Sequence, residues 1–123
     1  MNKLIKEVAP ESINREFIKC LNGILELTNR EVDILESLMV IESDMDSGKM
    51  KKDSLDSRDS RKEVMRITGV SGENLTRYTN TLKAKGILQT INGRCSLNKA
   101  IIPDVIGGKT VQITLILKVN AKV

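Results

Sequence analysis

The stretch Arg61–Leu97 constrains the fold of this 123-residue chain more than any other. A short helix is predicted at Arg61–Thr68, before a turn at Gly69-Val70, and a second helix from Ser71 to about Lys85, where Gly86 ends it. Two short apolar runs then flank Asn92-Gly93, a dipeptide that favours a tight hairpin because both turn positions need a positive φ. The predicted order is therefore helix, turn, helix, β-hairpin.

The second predicted helix has one apolar and one polar face. Ser71 suits the N-cap, because its hydroxyl can accept a hydrogen bond from the backbone N–H of Asn74. The apolar face repeats at three and four residues and contains Leu75, Tyr78, Thr79 and Leu82. The other face carries hydrogen-bonding and cationic groups, as a helix in the major groove requires: Glu73, Thr76, Arg77, Asn80, Thr81 and Lys83. The alternative interpretation is that this polar face is simply exposed to solvent. The adjacent turn and hairpin favour a recognition helix instead.

The segment TGVSGENLTRYTNTLKAKGIL, from Thr68 to Leu88, resembles the recognition-helix segment of winged helix-turn-helix regulators, particularly MarR-like ones. The matching positions are Ser71, Leu75, Thr76-Arg77, Tyr78, Leu82, Lys85-Gly86 and Ile87-Leu88. The resemblance extends from about Asp56 to Leu97. It implies an α+β fold, a winged helix-turn-helix with a three-helix core and a β-hairpin wing. In such proteins the exposed residues of the second helix enter the major groove, and the wing arginine, here Arg94, approaches the minor groove or the backbone.

The rest of the chain divides around this unit. Residues 1–27 are predicted as an N-terminal extension whose helix packs on the core, with Phe17, Ile18, Leu21, Ile24 and Leu25 at helical spacing and Gly23 weakening its end. Residues 28–98 form the winged helix domain, opened by a T-x-x-E capping box at Thr28 and Glu31. The first helix of this domain is expected to reach about Ser43. Its acids Glu31, Asp33, Glu36 and Glu42 are expected on a face that points away from DNA.

A flexible loop is predicted at residues 44–60, rich in Ser, Asp and Lys. Asp44 and Asp46 there raise the question of a calcium loop, but no Glu closes the required twelve-residue spacing, so no metal site is expected.

Residues 99–123 form a C-terminal strand extension. Lys109–Val119 alternates strongly between two faces, which predicts a β-strand. Such an apolar strand needs a partner. The candidates are an N-terminal strand at Lys3–Val8, a second subunit in a homodimer, or another protein. A MarR-like dimer would use helices at both ends, and no C-terminal helix is predicted.

The charge is unevenly distributed along the chain. Residues 1–47 contain 5 Lys/Arg and 10 Asp/Glu, a net of −5, whereas residues 48–123 contain 15 and 6, a net of +9. A basic second half suggests a polyanionic partner. Contacts to the DNA backbone are expected from Arg58, Arg61, Lys62, Arg66, Ser71, Thr81, Lys83 and Arg94. Contacts to base edges are expected from Glu73, Thr76, Arg77 and Asn80.

Several function classes are disfavoured by composition. The chain has no histidine and two cysteines, Cys20 and Cys95, in no metal-binding arrangement. A zinc site and a histidine-based triad are therefore excluded. No phosphate-binding or nucleophile motif is present, so neither an enzyme nor a cofactor is expected. No run of apolar residues is long enough to span a membrane and no signal peptide is recognisable, which indicates a cytoplasmic protein.

Two functional interpretations remain. The first is a sequence-recognising double-stranded DNA-binding protein, a small transcriptional or replication regulator. The second is a winged-helix protein-interaction or assembly subunit without DNA readout. Steep salt dependence of binding would separate them, because phosphate contacts release counterions and apolar contacts do not.

Overall fold

The structure is a computed structural model that describes residues 4–106, 108 and 110–120. It is α+β, with four α-helices and two small antiparallel hairpins among these residues. The helices are α1 (Ile13–Leu25), α2 (Asn29–Asp46), α3 (Arg58–Thr68) and α4 (Gly72–Ala84). The strands are β1 (Leu88–Ile91), β2 (Arg94–Leu97), β3 (Val105–Ile106) and β4 (Thr110–Val111), and short 3₁₀ turns lie at Pro10–Ser12 and Lys99–Ile101.

The long helix α2 supplies much of the core. The predicted capping box is confirmed: Thr28 Oγ1 accepts from the Glu31 backbone N–H (3.3 Å), and Glu31 Oε1 accepts from the Thr28 N–H (2.8 Å). The buried apolar residues of the helix are Val32, Ile34, Leu35, Leu38, Met39, Ile41 and Met45. Because both Ile41 and Met45 are buried, the helix continues past the expected end near Ser43.

The acids of α2 do not form the single outward face that was expected. Asp33 and Glu36 both pair with Arg15 of α1, at 2.6 and 3.1 Å. Glu31 serves the cap, and Glu42 is buried. Asp33 and Glu36 therefore attach α1 to α2, whereas Glu31 stabilises the start of α2 itself.

Helix α1 packs on the core as predicted, with Phe17 and Ile18 buried and Leu21 and Leu25 partly buried against it. The helix continues through Gly23 to Leu25, and its C-cap residue Glu26 adopts a left-handed conformation (φ 54°). Ile24 lies on the exposed side, contrary to the predicted stripe.

The segment between α2 and α3 is anchored to the hairpin, although a flexible loop was predicted at residues 44–60. Leu55 is only 2% exposed, and its backbone N–H donates to the Cys95 carbonyl of β2 (2.9 Å). The Ser54 hydroxyl accepts from the Cys95 N–H (2.8 Å). Helix α3 begins at Arg58, earlier than expected, because the Ser57 side chain caps it. The polar composition concealed Leu55, a buried apolar anchor.

The turn between α3 and α4 is confirmed in detail. Gly69 ends α3 in a left-handed conformation (φ 74°), and the Ser71 hydroxyl accepts from the Asn74 N–H (3.3 Å) to cap α4. At the other end, Gly86 (φ 75°) donates to the Lys83 carbonyl and Ile87 to the Leu82 carbonyl, each at 3.0 Å. These paired bonds satisfy the last carbonyls of the helix and turn the chain toward β1.

The predicted hairpin is also confirmed. Asn92 (φ 52°) and Gly93 (φ 77°) both have positive φ, and β1 and β2 pair in the register Leu88↔Leu97 to Ile91↔Arg94. Leu88, Cys95 and Leu97 face the core, whereas Ile91 at the tip is exposed.

The predicted long C-terminal strand is wrong for most of its length. Of the predicted strand Lys109–Val119, Thr110–Val111 form β4 and pair with β3, whereas residues 112–119 have no regular secondary structure and Lys109 lies outside the described residues. Of the proposed N-terminal partner strand, residues 4–8 form no strand, and Lys3 lies outside the described residues. Alternation creates a strand preference, but a strand also needs a hydrogen-bonding edge, and none is provided within the described chain.

Candidate nucleic-acid interface

Helices α3 and α4 are held at a fixed mutual position by buried apolar side chains and by two arginines. Val64 of α3, Val70 of the turn and Leu75 of α4 are buried in the common core. Arg61 Nη2 of α3 donates to the Gly72 carbonyl (3.1 Å) and to Thr76 Oγ1 (2.9 Å). Arg30 Nη2 of α2 donates to the Thr68 carbonyl at the end of α3 (2.7 Å). The start of α4 is therefore fixed by α3, and the end of α3 is fixed by α2.

The outer face of α4 carries the residues predicted to contact bases. Glu73, Thr76, Arg77 and Asn80 are all exposed. On the opposite side Leu75 and Leu82 are completely buried, and Tyr78 is half-buried against the core. The exposed stripe follows from the helical period, because positions 73, 76, 77 and 80 repeat at three and four residues.

The threonine hydroxyls of α4 are directed to its own backbone. Thr76 Oγ1 donates to the Gly72 carbonyl (3.0 Å), and Thr81 Oγ1 donates to the Arg77 carbonyl (3.2 Å). Since Thr76 Oγ1 also accepts from Arg61, its donor is committed and one acceptor position is occupied. Thr81 is half-buried, so its predicted role at the DNA backbone depends on a partly covered side chain.

Arg77 is pre-oriented on the helix surface. Its Nη2 donates to Asn74 Oδ1 (2.8 Å), and its guanidinium carbon lies 5.9 Å from the centre of the Tyr78 ring. Both contacts restrict the long side chain and reduce the entropy lost when it binds another group. Asn74 was not among the predicted site residues, although its spacing of three residues from Arg77 is the usual signal for such a pair.

The cations of α3 differ in their availability. Arg58 and Lys62 are exposed and form no ion pair within the part of the chain that the structure describes. Arg66 is bonded to Glu63 one turn earlier, and this hydrogen bond raises the pKa of Arg66 and lowers the pKa of Glu63. Arg58 and Lys62 are therefore the α3 cations most accessible to phosphate.

At the other end of α4, Lys83 lies 3.5 Å from Asp56. A hydrogen bond from Ser54, followed by the charge of Lys83, holds the pKa of the Asp56 carboxyl below its usual value. The negative charge of Asp56 partly offsets the positive charge of Lys83, whose side chain remains partly exposed. Lys85, in contrast, binds the carbonyls of Leu25 (2.8 Å) and Glu26 (2.7 Å) and so attaches α4 to the end of α1.

Arg94 does not occupy the free wing position that the family resemblance implies. Its Nη2 lies 2.7 Å from Glu42 Oε1 of α2, and its Nε donates to the Asp53 carbonyl (3.0 Å). The second oxygen of Glu42 accepts from the Leu97 N–H (3.2 Å). Arg94 thus attaches the hairpin to the body of the molecule. Its guanidinium is therefore already engaged within the protein.

A groove of about 270 Å³ lies away from this surface and is lined by Ile13, Asn14, Met39, Glu42, Ser43, Asp46, Ile102 and Pro103. Asp44 and Asp46 lie in the last turn of α2, not in a loop, and the described residues contain no cluster of three metal-binding side chains. Across the same residues no helix has the length and apolarity needed to span a membrane.

Comparison with known proteins identifies no family: no family model matches the chain, and neither a curated protein nor a solved structure matches it. The likeness to MarR-like regulators therefore remains a prediction based on the residues of α3, α4 and the hairpin.

Proposed function

We propose that this protein is a winged helix-turn-helix, double-stranded DNA-binding protein that acts as a small transcriptional or replication regulator, without catalytic activity. The observation that carries the proposal is the polar stripe of α4, which is exposed while α3 and the Gly69 turn fix the helix that bears it. A rigid helix with a polar outer face and a β-hairpin directly after it is an arrangement suited to the major groove.

Each side of the surface has a distinct role in this proposal. Arg58 and Lys62 contact phosphates, which contributes affinity without sequence information. Arg77 reads guanine and Asn80 reads adenine. Because the Thr76 hydroxyl is bonded to Gly72 and Arg61, we assign the Thr76 methyl group to contact with a thymine methyl.

The test begins by selecting bound sequences from a random duplex pool with the full chain. Binding to the selected duplex and to an unrelated duplex is then measured at several salt concentrations. Arg77→Ala is expected to weaken binding to the selected duplex by about 1–3 kcal/mol and binding to unrelated DNA by less. Lys62→Ala is expected to weaken both equally and to reduce the salt slope by about one.

Lys19→Ala is the matched control, because Lys19 is an exposed lysine on α1 outside the proposed surface. Its binding should equal that of the unchanged chain. If Arg77→Ala weakens binding to both duplexes equally, Arg77 does not contact bases specifically. If the folded protein binds no duplex at low salt, the DNA proposal is wrong and the interaction or assembly role replaces it. Arg94→Ala is not a suitable probe, since it disrupts the attachment of the hairpin.

A further inference from the structure

The segment 110–120, which comprises β4 and the residues after it, exposes a series of apolar side chains. The exposed fractions are 53% for Leu115, 74% for Ile116, 84% for Leu117 and 90% for Val119. Residues 112–119 make no hydrogen bond within the described part of the chain, so their backbone donors and acceptors are available there for pairing. A run of this kind is a ready site for pairing with another strand.

The contact made by Val111 indicates which face of a continued strand would be directed toward the core. Val111 is half-buried and packs against the core. In a continued strand Ile113, Leu115, Leu117 and Val119 lie on the same side as Val111, because side chains alternate. The other side would carry Thr110, Gln112, Thr114, Ile116 and Lys118 and would face solvent.

The chemistry of the segment fits a copy of itself. Lys118 is its single charged residue and it contains no acid, so it does not specify a charged partner. We propose that two copies of this chain associate by antiparallel pairing of residues 110–120. This inference concerns assembly alone and does not depend on DNA binding.

The register follows from self-complementarity. Pairing centred on Leu115 places all eleven residues of 110–120 opposite one another. It sets Ile113 against Leu117, and Val111 against Val119. Lys118 then lies opposite Gln112, so the two lysines do not repel each other. An interface of this kind uses the same patch on both copies, as a two-fold dimer requires.

The existing β3–β4 hairpin favours the pairing energetically. A two-stranded ribbon alone is marginal in water, whereas three strands with an apolar face are not. In the proposed register, β4 of one copy lies between its own β3 and residues 119–120 of the other copy. Each end of the paired segment is therefore three strands wide.

The first test measures the molar mass of the full chain in solution by light scattering over a wide range of concentration. The unchanged protein is expected at twice its 13.7 kDa chain mass. Leu115→Lys is expected to be a monomer with unchanged helical circular dichroism, because it places two lysines opposite each other at the symmetry axis. Thr114→Lys is the matched control on the solvent face and should remain dimeric. A monomeric unchanged protein, or a dimeric Leu115→Lys variant, would overturn the proposal.

A second test examines register by cross-linking in a Cys20→Ser background, which removes the exposed native thiol. Leu115→Cys is expected to form a disulfide-linked dimer on mild oxidation. Leu117→Cys is expected not to, because its copy lies about 13 Å away along the strand direction. Linking at both positions would indicate parallel pairing, and linking at neither would exclude this interface. If monomeric Leu115→Lys still binds duplex DNA, DNA binding does not require the dimer, and each proposal can be tested without the other.

Discussion

At the scale of single residues, Glu42 and Arg94 form a partly buried ion pair that the sequence did not reveal. Glu42 is buried and accepts from both Arg94 and the backbone of Leu97. A buried carboxylate that loses its cation is strongly destabilising, because the remaining charge is poorly solvated. The hairpin and α2 are therefore coupled through one pair of side chains.

Arg94→Ala is expected to lower the free energy of unfolding by about 2–4 kcal/mol, since Glu42 would remain buried without its cation. Urea unfolding followed by circular dichroism measures this change. Arg66→Ala is the control, because the Arg66–Glu63 pair is exposed on α3 and should contribute little. Similar losses for both variants would show that the Arg94 pair is no more important than a surface pair.

The sequence could indicate that Arg94 follows the Asn92-Gly93 turn, but not where its guanidinium would bind. Glu42 lies 52 positions earlier in the chain and on a different element. No periodicity connects positions so distant, so only the packing of the hairpin against α2 identifies the pair. The same reason explains why the sequence predicts a flexible loop around Leu55, whose partner Cys95 is distant in the chain.

At the scale of elements, α1 illustrates how a local preference is overridden by packing. Gly23 predicted a weakened end, yet the helix continues to Leu25, which packs against the core. Lys85 also binds the last carbonyls of this helix. The cost of one glycine is small compared with the burial of apolar side chains on both sides of it.

Gly23→Ala is expected to stabilise the protein by about 0.5–1 kcal/mol, because alanine loses less backbone entropy in a helix. An added Cβ at Gly23 meets nothing within 4 Å. Gly69→Ala is the contrasting variant: space is also open there, but φ is +74°, so a destabilisation of about 1 kcal/mol is expected. Urea midpoints measure both. Shifts in the same direction would contradict the conformational explanation.

At the scale of the whole molecule, α1 is attached to α2 partly by charge. Hydrogen bonding from Arg15, followed by that from Arg30, lowers the pKa of the Asp33 carboxyl. A carboxyl whose pKa is lower in the folded state stabilises the fold above its unfolded pKa, and this stabilisation disappears as the pH falls through the folded value. The relevant window therefore lies below about pH 4.

Arg15→Gln is expected to reduce the loss of stability on acidification below about pH 4, since the Asp33 pKa would return toward its ordinary value. Urea unfolding at a series of acidic pH values measures the dependence, and an NMR titration of Asp33 measures the pKa itself. Lys62→Ala, which removes an exposed cation without an ion pair in the described residues, should leave the dependence unchanged. An unaltered profile for Arg15→Gln would mean that other carboxyls control acid stability.

The sequence by itself determined the features that depend on neighbours along the chain. These are the Thr28–Glu31 box, the Ser71 cap, the Gly69 and Gly86 helix ends and the Asn92-Gly93 hairpin. It also identified the exposed stripe of α4, because helical spacing decides which residues share a face. Whether that stripe binds DNA remains a prediction.

The tertiary structure alone decided which charged side chains bind other groups of the protein. It also decided which predicted strands have a neighbouring strand to pair with. Arg61, Lys85 and Arg94 donate side-chain hydrogen bonds within the protein, whereas the side chains of Arg58 and Lys62 form no hydrogen bond or ion pair with its described residues. The alternating C-terminal segment extends past β4, and residues 112–119 pair with no strand among the described residues. Both outcomes depend on contacts between residues distant in sequence, and local patterns of hydrophobicity and charge contain no record of such contacts.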